Sequence, residues 1–354
     1  MSLNLTLVGY GNAGRIFHAP LINGVPGLRL ASIVSSRTDA VQHDWPQVPV
    51  RPTLQQALAE DAIDVVVIAS PNDSHAPLAT QALLAGKHVV VDKPCSVTLA
   101  QTSELLHLAQ AQGRVLTVFQ NRRLDSDFLS LQQVLAQGLL GRLVEVNSHF
   151  DRYRPVLPMR WREQDQPGAG LWLDLGAHLV DQALVLWGPP AALSVDWAAL
   201  RDGAVVNDWF HAVLRYPDTG LRVILHASTL VAEPGPRWAV HGTQGTLLLH
   251  GLDTQEDALK AGARVQCNDP DWGRPAQPGS VLQMRRLPGV TSPVAVRTEA
   301  PTAAGNYFAW YANLRDHLRG QAALIVSPEQ VYATMRLLSL GEQSARQHGA
   351  WVSW

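Results

Sequence analysis

Residues 5–14 read LTLVGYGNAG, an apolar strand that runs directly into three glycines spaced Gly-x-Gly-x-x-Gly. Gly9 permits a tight turn, Gly11 lets the backbone approach a pyrophosphate, and Gly14 allows a helix to pack closely on the strand. A phosphate at this loop meets the free N–H groups at the start of that helix. The stretch therefore predicts a dinucleotide-binding βαβ unit.

Strand–helix alternation continues from this loop to residue 121. We expect strands at 3–8, 28–34, 63–68, 88–91 and 115–119, with helices at 54–60, 76–85 and 99–111. Runs such as VVVIA (65–69) are typical of strands buried on both faces, and hence of a parallel sheet. Thr98 and Gln101 form a capping-box pattern before the last of these helices. Residues 1–121 are thus predicted to form an α/β, doubly wound Rossmann domain that binds NAD(P).

The residues after the second strand bear on which dinucleotide is bound. NAD-specific enzymes usually place an acid there against the ribose hydroxyls, whereas this chain has Ser35, Ser36 and Arg37. Two hydroxyls and a guanidinium suit a 2′-phosphate, because arginine makes planar, multidentate hydrogen bonds to it. The alternative is a solvated arginine beside a polar turn. The sequence favours NADP, with NAD as the alternative.

Polar residues also follow the third and fourth strands, where ligands bind in an open parallel sheet. Ser70–Asn72 follows one strand, and Asp92–Pro94 follows the next. Lys93, in the second of these segments, can donate a hydrogen bond to a substrate hydroxyl and stabilise that oxygen as it becomes an alkoxide. The alternative is an exposed lysine without a chemical role.

A second candidate pair lies in GAGLWLDLGAHLVDQALVLWG, residues 168–188, which is predicted to be a helix with an apolar face. Asp174 and His178 are four residues apart, so both project from one side of its first turns. Two structural interpretations compete with a catalytic one. Asp174 could cap the helix, and His178 could be a core histidine bonded to a backbone carbonyl.

The pattern changes after residue 121. RLVEVNSHF (142–150), DWFHAVLRY (208–216) and LRVILHAST (221–229) alternate as strands with one buried face do. Hairpin connections are expected at 215–221 and 242–245, long loops around short strands at 253–303, and amphipathic helices at 307–320 and 328–347. A sheet of this kind presents one face to helices and leaves the other for another partner, such as a second subunit.

Bulk properties exclude several classes of protein. The 354 residues suit two domains, and a net charge of −2 offers no basic field for nucleic acid or a membrane surface. No run of eighteen apolar residues predicts a membrane span, and an apolar strand at the N-terminus leaves no room for a signal peptide. Cys95 and Cys267 lack metal-ligand spacing, so no bound metal is expected. The low cysteine content predicts a cytoplasmic location.

The chain as a whole resembles the glucose–fructose oxidoreductase / inositol dehydrogenase (Gfo/Idh/MocA) family. The resemblance is carried by the glycine loop, by PNDSHAPLATQALLAGKHVVVDKP (71–94) and by GLWLDLGAHLVDQ (170–182). One departure is Asp92-Lys93-Pro94, where the family hallmark is Glu-Lys-Pro. The resemblance implies a Rossmann domain at 1–121 and, at 122–354, an α/β domain whose open, mostly antiparallel sheet often mediates dimerisation.

By the same resemblance, Lys93, Asp174 and His178 match the family's catalytic positions. His178 would exchange the proton of a substrate hydroxyl, Asp174 would orient or charge-stabilise the imidazole, and Lys93 would bind the same oxygen. Histidine suits this role because its ordinary pKa lies close to neutral pH. The implied cofactor contacts are Gly9, Gly11, Asn12, Ala13, Gly14, Ser35, Ser36, Arg37, Ser70, Pro71, Asn72, His75, Asp92, Lys93 and Asn121. The implied substrate contacts are Lys93, Asn121, Arg122, Trp161, Arg162, Asp174 and His178.

Some of these residues have structural alternatives. Asn72 could be a turn or cap residue, Arg122 an interdomain ion-pair residue and Trp161 part of the core. His18, on the first helix, is expected to be a packed helix histidine.

The leading functional hypothesis is an NADP-dependent oxidoreductase acting on a secondary alcohol of a sugar, cyclitol or related polyol, as a homo-oligomer and most simply a dimer. One alternative is an NAD-linked dehydrogenase, or a reductase of another carbonyl or imine. Another is a non-catalytic dinucleotide sensor. The presence of Lys93, Asp174 and His178 argues against the sensor, because a pure binder does not need a proton-transfer pair.

Overall fold

The computed structural model of the chain describes residues 2–60, 62–263, 267, 269–285, 288 and 292–354. The chain divides into two compact units. The first unit is Met1–Asn121 with Gln255–Trp272 and Asn306–Met335, and the second is Arg122–Thr254 with Gly273–Gly305 and Arg336–Trp354. The sequence predicts a division into 1–121 and 122–354, whereas two later segments group with the first unit here.

Side-chain packing explains why those segments join the first unit. The side-chain oxygen of Gln255 accepts hydrogen bonds from Trp272 Nε1 and from the Tyr307 amide, both at 2.7 Å. Trp310 and Tyr311 pack on Phe119, with ring centroids 5.1 and 5.6 Å away. Aromatic burial of this kind is strongly stabilising, and no local sequence pattern specifies it.

The helices occur throughout the chain. A π-helical turn, Ala13–His18, leads into α1. The α-helices are α1 (Ala19–Gly24), α2 (Thr38–Asp44), α3 (Leu54–Glu60), α4 (His75–Leu84), α5 (Leu99–Ala111), α6 (Ser126–Ala136), α7 (Ala177–Trp187), α8 (Gln255–Lys260), α9 (Phe308–Leu318) and α10 (Pro328–Arg346). The capping box predicted for α5 is present: Thr98 Oγ1 accepts the Gln101 N–H, and the Gln101 side chain accepts the Thr98 N–H.

The first unit contains a parallel sheet of six strands in the order β3-β2-β1-β4-β5-β6. The strands are β1 (Leu3–Val8), β2 (Leu28–Val34), β3 (Val50–Arg51), β4 (Val65–Ile68), β5 (His88–Asp92) and β6 (Leu116–Phe119). All four residues of β4 are completely buried, as expected of a central parallel strand. The predicted Rossmann fold is confirmed, while the two-residue edge strand β3 and the helix α2 were not predicted.

The second unit contains a mixed sheet of nine strands in the order β14-β13-β12-β11-β7-β10-β9-β8-β15. The strands are β7 (Leu143–His149), β8 (Ala192–Ala198), β9 (Trp209–Tyr216), β10 (Leu221–Ser228), β11 (Trp238–Gly242), β12 (Gly245–Leu249), β13 (Ser280–Arg285), β14 (Val294–Glu299) and β15 (Val352–Ser353). β7 and β10 pair in parallel, and the other neighbours pair antiparallel. The predicted mostly antiparallel sheet is confirmed.

Burial alternates along the central strands of this sheet. In β9, Phe210, Ala212 and Leu214 are buried, while Trp209, His211 and Val213 between them are half-buried. The same alternation recurs in β10, β11 and β12. One face therefore belongs to the core, and the other, which we call the open face, is only partly covered.

Two further observations concern membrane spans and the cysteines. Within the described residues, no helix is both long and apolar enough to cross a membrane. Cys95 and Cys267 are both free, and burial raises the pKa of the Cys95 thiol to about 12. A cytoplasmic location stays a prediction.

Candidate active site

The glycine-rich loop has the geometry that its spacing predicts. Gly9 has φ +99°, and a Cβ atom there would lie 2.6 Å from the Ala69 carbonyl oxygen. A Cβ atom at Gly14 would lie 2.1 Å from the Gly9 carbonyl oxygen, whereas one at Gly11 would meet nothing within 4 Å. Gly9 and Gly14 are therefore required by close packing, and the space beside Gly11 suits the approach of a pyrophosphate.

The turn after β2 holds the predicted specificity residues. The Ser35 amide donates to the Arg51 carbonyl at 3.1 Å, and the Ser35 hydroxyl accepts the Arg37 N–H at 3.0 Å. Ser36 and Arg37 are exposed. The first acidic side chain after β2 is Asp39, in the first turn of α2. Exposed hydroxyl and guanidinium groups thus stand where an NAD-specific enzyme usually has a carboxylate.

His75 links the loops that follow β4 and β5. Its Nδ1 lies 2.9 Å from the Pro94 carbonyl oxygen and its Nε2 lies 3.0 Å from the Ser70 carbonyl oxygen, with the residue only 1% exposed. Ser74 Oγ lies 2.5 Å from Ser70 Oγ and donates to the Pro71 carbonyl at 2.6 Å. These bonds fix the loop that carries Lys93.

Lys93 lies just beyond β5 and is 8% exposed. Its amide donates to Asp92 Oδ1 at 2.9 Å, and the peptide bond to Pro94 is cis. Lys93 therefore lies buried at the carboxyl end of a parallel strand, where ligands of such sheets bind.

Asp92 belongs to a buried network that no motif in the sequence indicates. His18 is completely buried, with Nδ1 2.6 Å from the Tyr311 hydroxyl and Nε2 3.9 Å from Asp92 Oδ1. Burial alone raises the pKa of Asp92, but His18, together with the charge of Lys93, outweighs burial and lowers that pKa. His18 is the packed helix histidine expected from the sequence, and it also supports the carboxylate beside Lys93.

Two of the three predicted asparagines of this unit are buried, whereas Asn12 is exposed. Asn72 opens the short 3₁₀ turn before α4 and is 2% exposed, and Asn121 follows β6 and is 5% exposed. Both follow the carboxyl ends of sheet strands, where ligands of such sheets bind.

A cavity of about 790 Å³ adjoins the glycine loop on the α1 side. Its lining includes Asn12 from the predicted cofactor residues, together with Tyr10, Arg15 and Asp44. Asp44 accepts hydrogen bonds from Tyr10 Oη at 2.8 Å and Arg15 Nε at 2.7 Å. Burial raises the pKa of Asp44, but these bonds outweigh it and lower the pKa to about 2. The network ties the loop to the end of α2.

In the second unit, Asp174 and His178 lie where one helix type changes to another. Trp172–Gly176, which includes Asp174, forms a π-helical turn, and α7 begins at Ala177. The expected helix is therefore present, but its first turn is π-helical, a distortion found frequently at functional sites. His178 is 5% exposed, whereas the Asp174 side chain is 34% exposed.

The start of this helix is capped by a residue distant in sequence. The Asn207 side-chain oxygen accepts the Trp172 N–H, and the Asn207 carbonyl accepts the Leu171 N–H, both at 2.8 Å. Asp174 Oδ1 instead lies 3.5 Å from Arg162 Nε. Because Asn207 already caps the start of this helix, a capping role for Asp174 is not needed to explain the carboxylate there.

Buried polar contacts hold the rest of α7. Asp181 accepts two hydrogen bonds from Arg123, each at 2.7 Å. The Gln182 side chain accepts from Arg237 at 2.7 Å and donates to the Arg122 carbonyl at 2.8 Å. Two-point bonding of this kind fixes both position and orientation, so these contacts locate the helix that carries His178.

The remaining predicted substrate residues lie elsewhere in the second unit. The guanidinium of Arg122 donates to Asp125 at 3.2 Å and lies 4.7 Å above the Phe150 ring. The guanidinium of Arg162 lies 4.5 Å above the Trp161 ring. Arg122 is thus engaged in packing, while Arg162 lies beside Asp174.

A small cavity of about 40 Å³ lies next to Asp174 and is rich in arginine. Its charged lining residues are Arg152, Arg154, Arg160, Arg162, Glu163, Asp174, Arg201 and Asp208. Arg201 binds Glu163 at 2.6 Å and Asp208 at 2.8 Å. A volume of this size holds only water, so the ion pairs form a wall beside Asp174.

Comparison with known proteins agrees with both units. Residues 3–120 match an oxidoreductase family with an NAD-binding Rossmann fold, and residues 128–248 match the GFO/IDH/MocA C-terminal domain. The chain is similar to the uncharacterized oxidoreductase YdgJ of Escherichia coli, with 47% identity over 98% of this chain and 97% of that one.

Two further relatives cover nearly the whole chain. The scyllo-inositol 2-dehydrogenase (NADP(+)) IolW of Bacillus subtilis is 32% identical over 98% of this chain and 94% of its own. The structure of YPO2259 from Yersinia pestis superimposes with a TM-score of 0.91 at 47% identity, covering 99% of this chain and 96% of that one.

Proposed function

The chain belongs to the Gfo/Idh/MocA family of oxidoreductases with an NAD(P)-binding Rossmann domain, and from this membership we propose its reaction. It is an NADP-dependent dehydrogenase or reductase that interconverts a secondary alcohol and a ketone of a sugar, cyclitol or related polyol. The NADP-dependent inositol dehydrogenase among its relatives supports both the cofactor and the substrate class.

The observation that carries this proposal is the burial of two groups suited to the reaction. Lys93 lies buried at the carboxyl end of β5, and His178 lies buried in the first turn of α7, directly after the π-helical turn. Charged or titratable groups are seldom buried unless they are paired or functional. Both residues match the catalytic positions of the family.

The proposed chemistry assigns one task to each residue. When the alcohol is oxidised, a hydride leaves the carbinol carbon and a proton leaves its hydroxyl oxygen. His178 accepts that proton, and in the reverse direction it returns the proton to the ketone oxygen. Lys93 hydrogen-bonds the same oxygen and stabilises its developing negative charge. Asp174 orients the His178 ring and stabilises its charged form.

The proposed cofactor site is built from the first unit. The open space beside Gly11 and the helix N-terminus at Asn12 and Ala13 suit a pyrophosphate. Ser35, Ser36 and Arg37 would bind the 2′-phosphate. The bound dinucleotide supplies the hydride chemistry through its nicotinamide ring.

The proposed function is tested by assaying a panel of cyclitols, sugars and polyols with NADP⁺ or NAD⁺, following absorbance of the reduced cofactor. The reverse reaction is assayed with the corresponding ketones. We expect turnover with at least one cyclitol or sugar, and faster turnover with NADP⁺. Cofactor binding without turnover on any member of the panel contradicts the proposed substrate class.

Replacing Arg37 by alanine tests the proposed cofactor preference. We expect affinity for NADPH to fall about tenfold or more while affinity for NADH stays nearly constant, because only the charge-assisted phosphate contact is lost. Fluorescence titration of both cofactors measures the two dissociation constants. Arg29→Ala, an arginine on β2 that donates to Asn4, is the matched control. Equal weakening of both cofactors by Arg37→Ala contradicts the assignment.

The open face of the second sheet supports a dimer as the assembly. Half-buried apolar residues on it include Val213, Ile224 and Leu248. Such a face is well suited to pairing with a second copy. Light scattering at micromolar concentration is expected to give twice the chain mass of 38.5 kDa. A mass equal to that of one chain contradicts this prediction.

A further inference from the structure

A cluster of metal-ligating side chains lies on the open face, and neither the sequence motifs nor the proposed reaction accounts for it. His149 ends β7, Asp151 follows two residues later, and His226 lies near the end of β10. The parallel register pairs His149 directly with His226. One ligand atom from each of the three residues can be chosen so that all three lie within 4.8 Å of one another.

We propose that His149, Asp151 and His226 form a binding site for one divalent transition-metal ion, with Zn²⁺ as the best match. Two imidazole nitrogens and one carboxylate oxygen are a recurring zinc ligand set, in which the fourth position is left to water or another ligand.

The distances support this assignment. His149 Nδ1 lies 3.2 Å from Asp151 Oδ2, and His226 Nε2 lies 3.5 Å from Asp151 Oδ1. Ligand atoms around a tetrahedral zinc ion are about 3.3 Å apart, as zinc–ligand bonds of about 2.0–2.2 Å require. The two separations run to different oxygens of Asp151, and one ligand atom from each residue lies within 4.8 Å of the other two, so binding requires the two rings to close further around the carboxylate.

The burial of Asp151 is a second, independent observation. Its side chain is 5% exposed, and within the described part of the chain its Oδ1 atom makes no hydrogen bond, with His226 Nε2 3.5 Å away. A buried carboxylate oxygen without a donor is costly, and a bound cation removes that cost. The His149 side chain is 33% exposed in the single chain, so an ion can reach the cluster before a second copy covers the open face.

Neighbouring residues define the limits of the site. His211 is paired with His226 across β9 and β10, but their ring centroids are 5.8 Å apart, and His211 is not part of the three-ligand set. Trp209 packs edge-on against His226 at 5.7 Å. Asp174 and His178 lie on the π-helical turn and α7, and they are not members of the three-ligand set.

The test is calorimetric titration of the full-length enzyme with ZnCl₂, using protein made without a polyhistidine tag and stripped with a chelator. We expect one Zn²⁺ per chain. His226→Ala should weaken binding by about 100-fold or more, since even outer-shell changes at metal sites cost about 10–100-fold. Asp151→Asn, which preserves side-chain shape, should weaken it similarly, and this variant serves if His226→Ala does not fold.

Two controls separate this site from other histidines. His241→Ala removes an imidazole from the same open face, where it pairs with Thr246 at 3.0 Å, and it should leave zinc affinity unchanged. His178→Ala should also leave it unchanged, which excludes binding at the proposed catalytic pair. Substitution by Co²⁺ should give visible absorption bands in the wild type that His226→Ala abolishes.

Three results would overturn the proposal. They are the absence of stoichiometric zinc binding to the wild type, unchanged affinity in both His226→Ala and Asp151→Asn, and equal loss of affinity in His241→Ala. None of these measurements depends on the substrate or on turnover, so the result is independent of the proposed function.

Discussion

His178→Ala is expected to lower the rate of hydride transfer about 10²–10⁴-fold, the usual contribution of a general acid–base residue. Cofactor affinity should stay nearly constant, because the predicted cofactor contacts come from other residues. The measurement is single-turnover formation of reduced cofactor at saturating cofactor and substrate. A near-normal rate would contradict the catalytic role and favour the alternative that His178 is a core histidine.

Companion variants separate the roles in the proposed reaction. Lys93→Met should also reduce the rate strongly, and the double variant should be less impaired than the product of the two single effects, as for groups acting on one oxygen. Asp174→Asn should be milder if Asp174 only orients the imidazole. Multiplicative effects of Lys93→Met and His178→Ala would contradict their action on a common oxygen.

Arg123→Met is expected to lower the free energy of unfolding by about 3–5 kcal/mol, the typical cost of leaving one partner of a buried ion pair uncompensated. Arg123 is 6% exposed and donates two hydrogen bonds to Asp181, which is 2% exposed. Asp181 lies on α7, three residues after His178. Urea unfolding followed by tryptophan fluorescence measures the change.

The matched control is Arg346→Gln. It breaks a pair of 3.6 Å between the exposed Arg346 and the half-buried Glu342, and it should cost at most about 1 kcal/mol. Replacing both partners, Arg123→Met with Asp181→Leu, should recover much of the loss because no buried charge is then left unpaired. If Arg123→Met costs no more than Arg346→Gln, the pair does not fix α7 energetically.

Local patterns in the sequence predicted much of the fold. Continuous apolar runs predicted the parallel strands β4 and β5, and alternation predicted β9 and β10, because burial on two faces or one leaves different periodicities. The glycine loop was predictable because Gly9 and Gly14 are required by close contacts with nearby backbone, while Gly11 leaves space for a pyrophosphate. The two-residue strand β3 and the regrouping of 255–272 and 306–335 were not predictable, since neither depends on a local pattern.

The candidate site was predictable only in part. The sequence singled out Lys93, Asp174 and His178, and placed Lys93 beyond a strand end, because strand ends and helix spacing can be read locally. It did not reveal that His75 joins two loops, that His18 lies near Asp92 or that Asn207 caps the π-helical turn. It also gave no indication of the cluster of His149, Asp151 and His226.

The sequence by itself therefore determined the family, the types of strand and helix and the residues suited to the chemistry. Only the tertiary structure decided which polar groups share a buried environment. Residues such as His149 and His226 are distant along the chain and become neighbours through the register of two parallel strands. Register is selected by the whole buried face of a sheet, since a shift of one residue reverses every side chain. No short stretch of sequence contains that information.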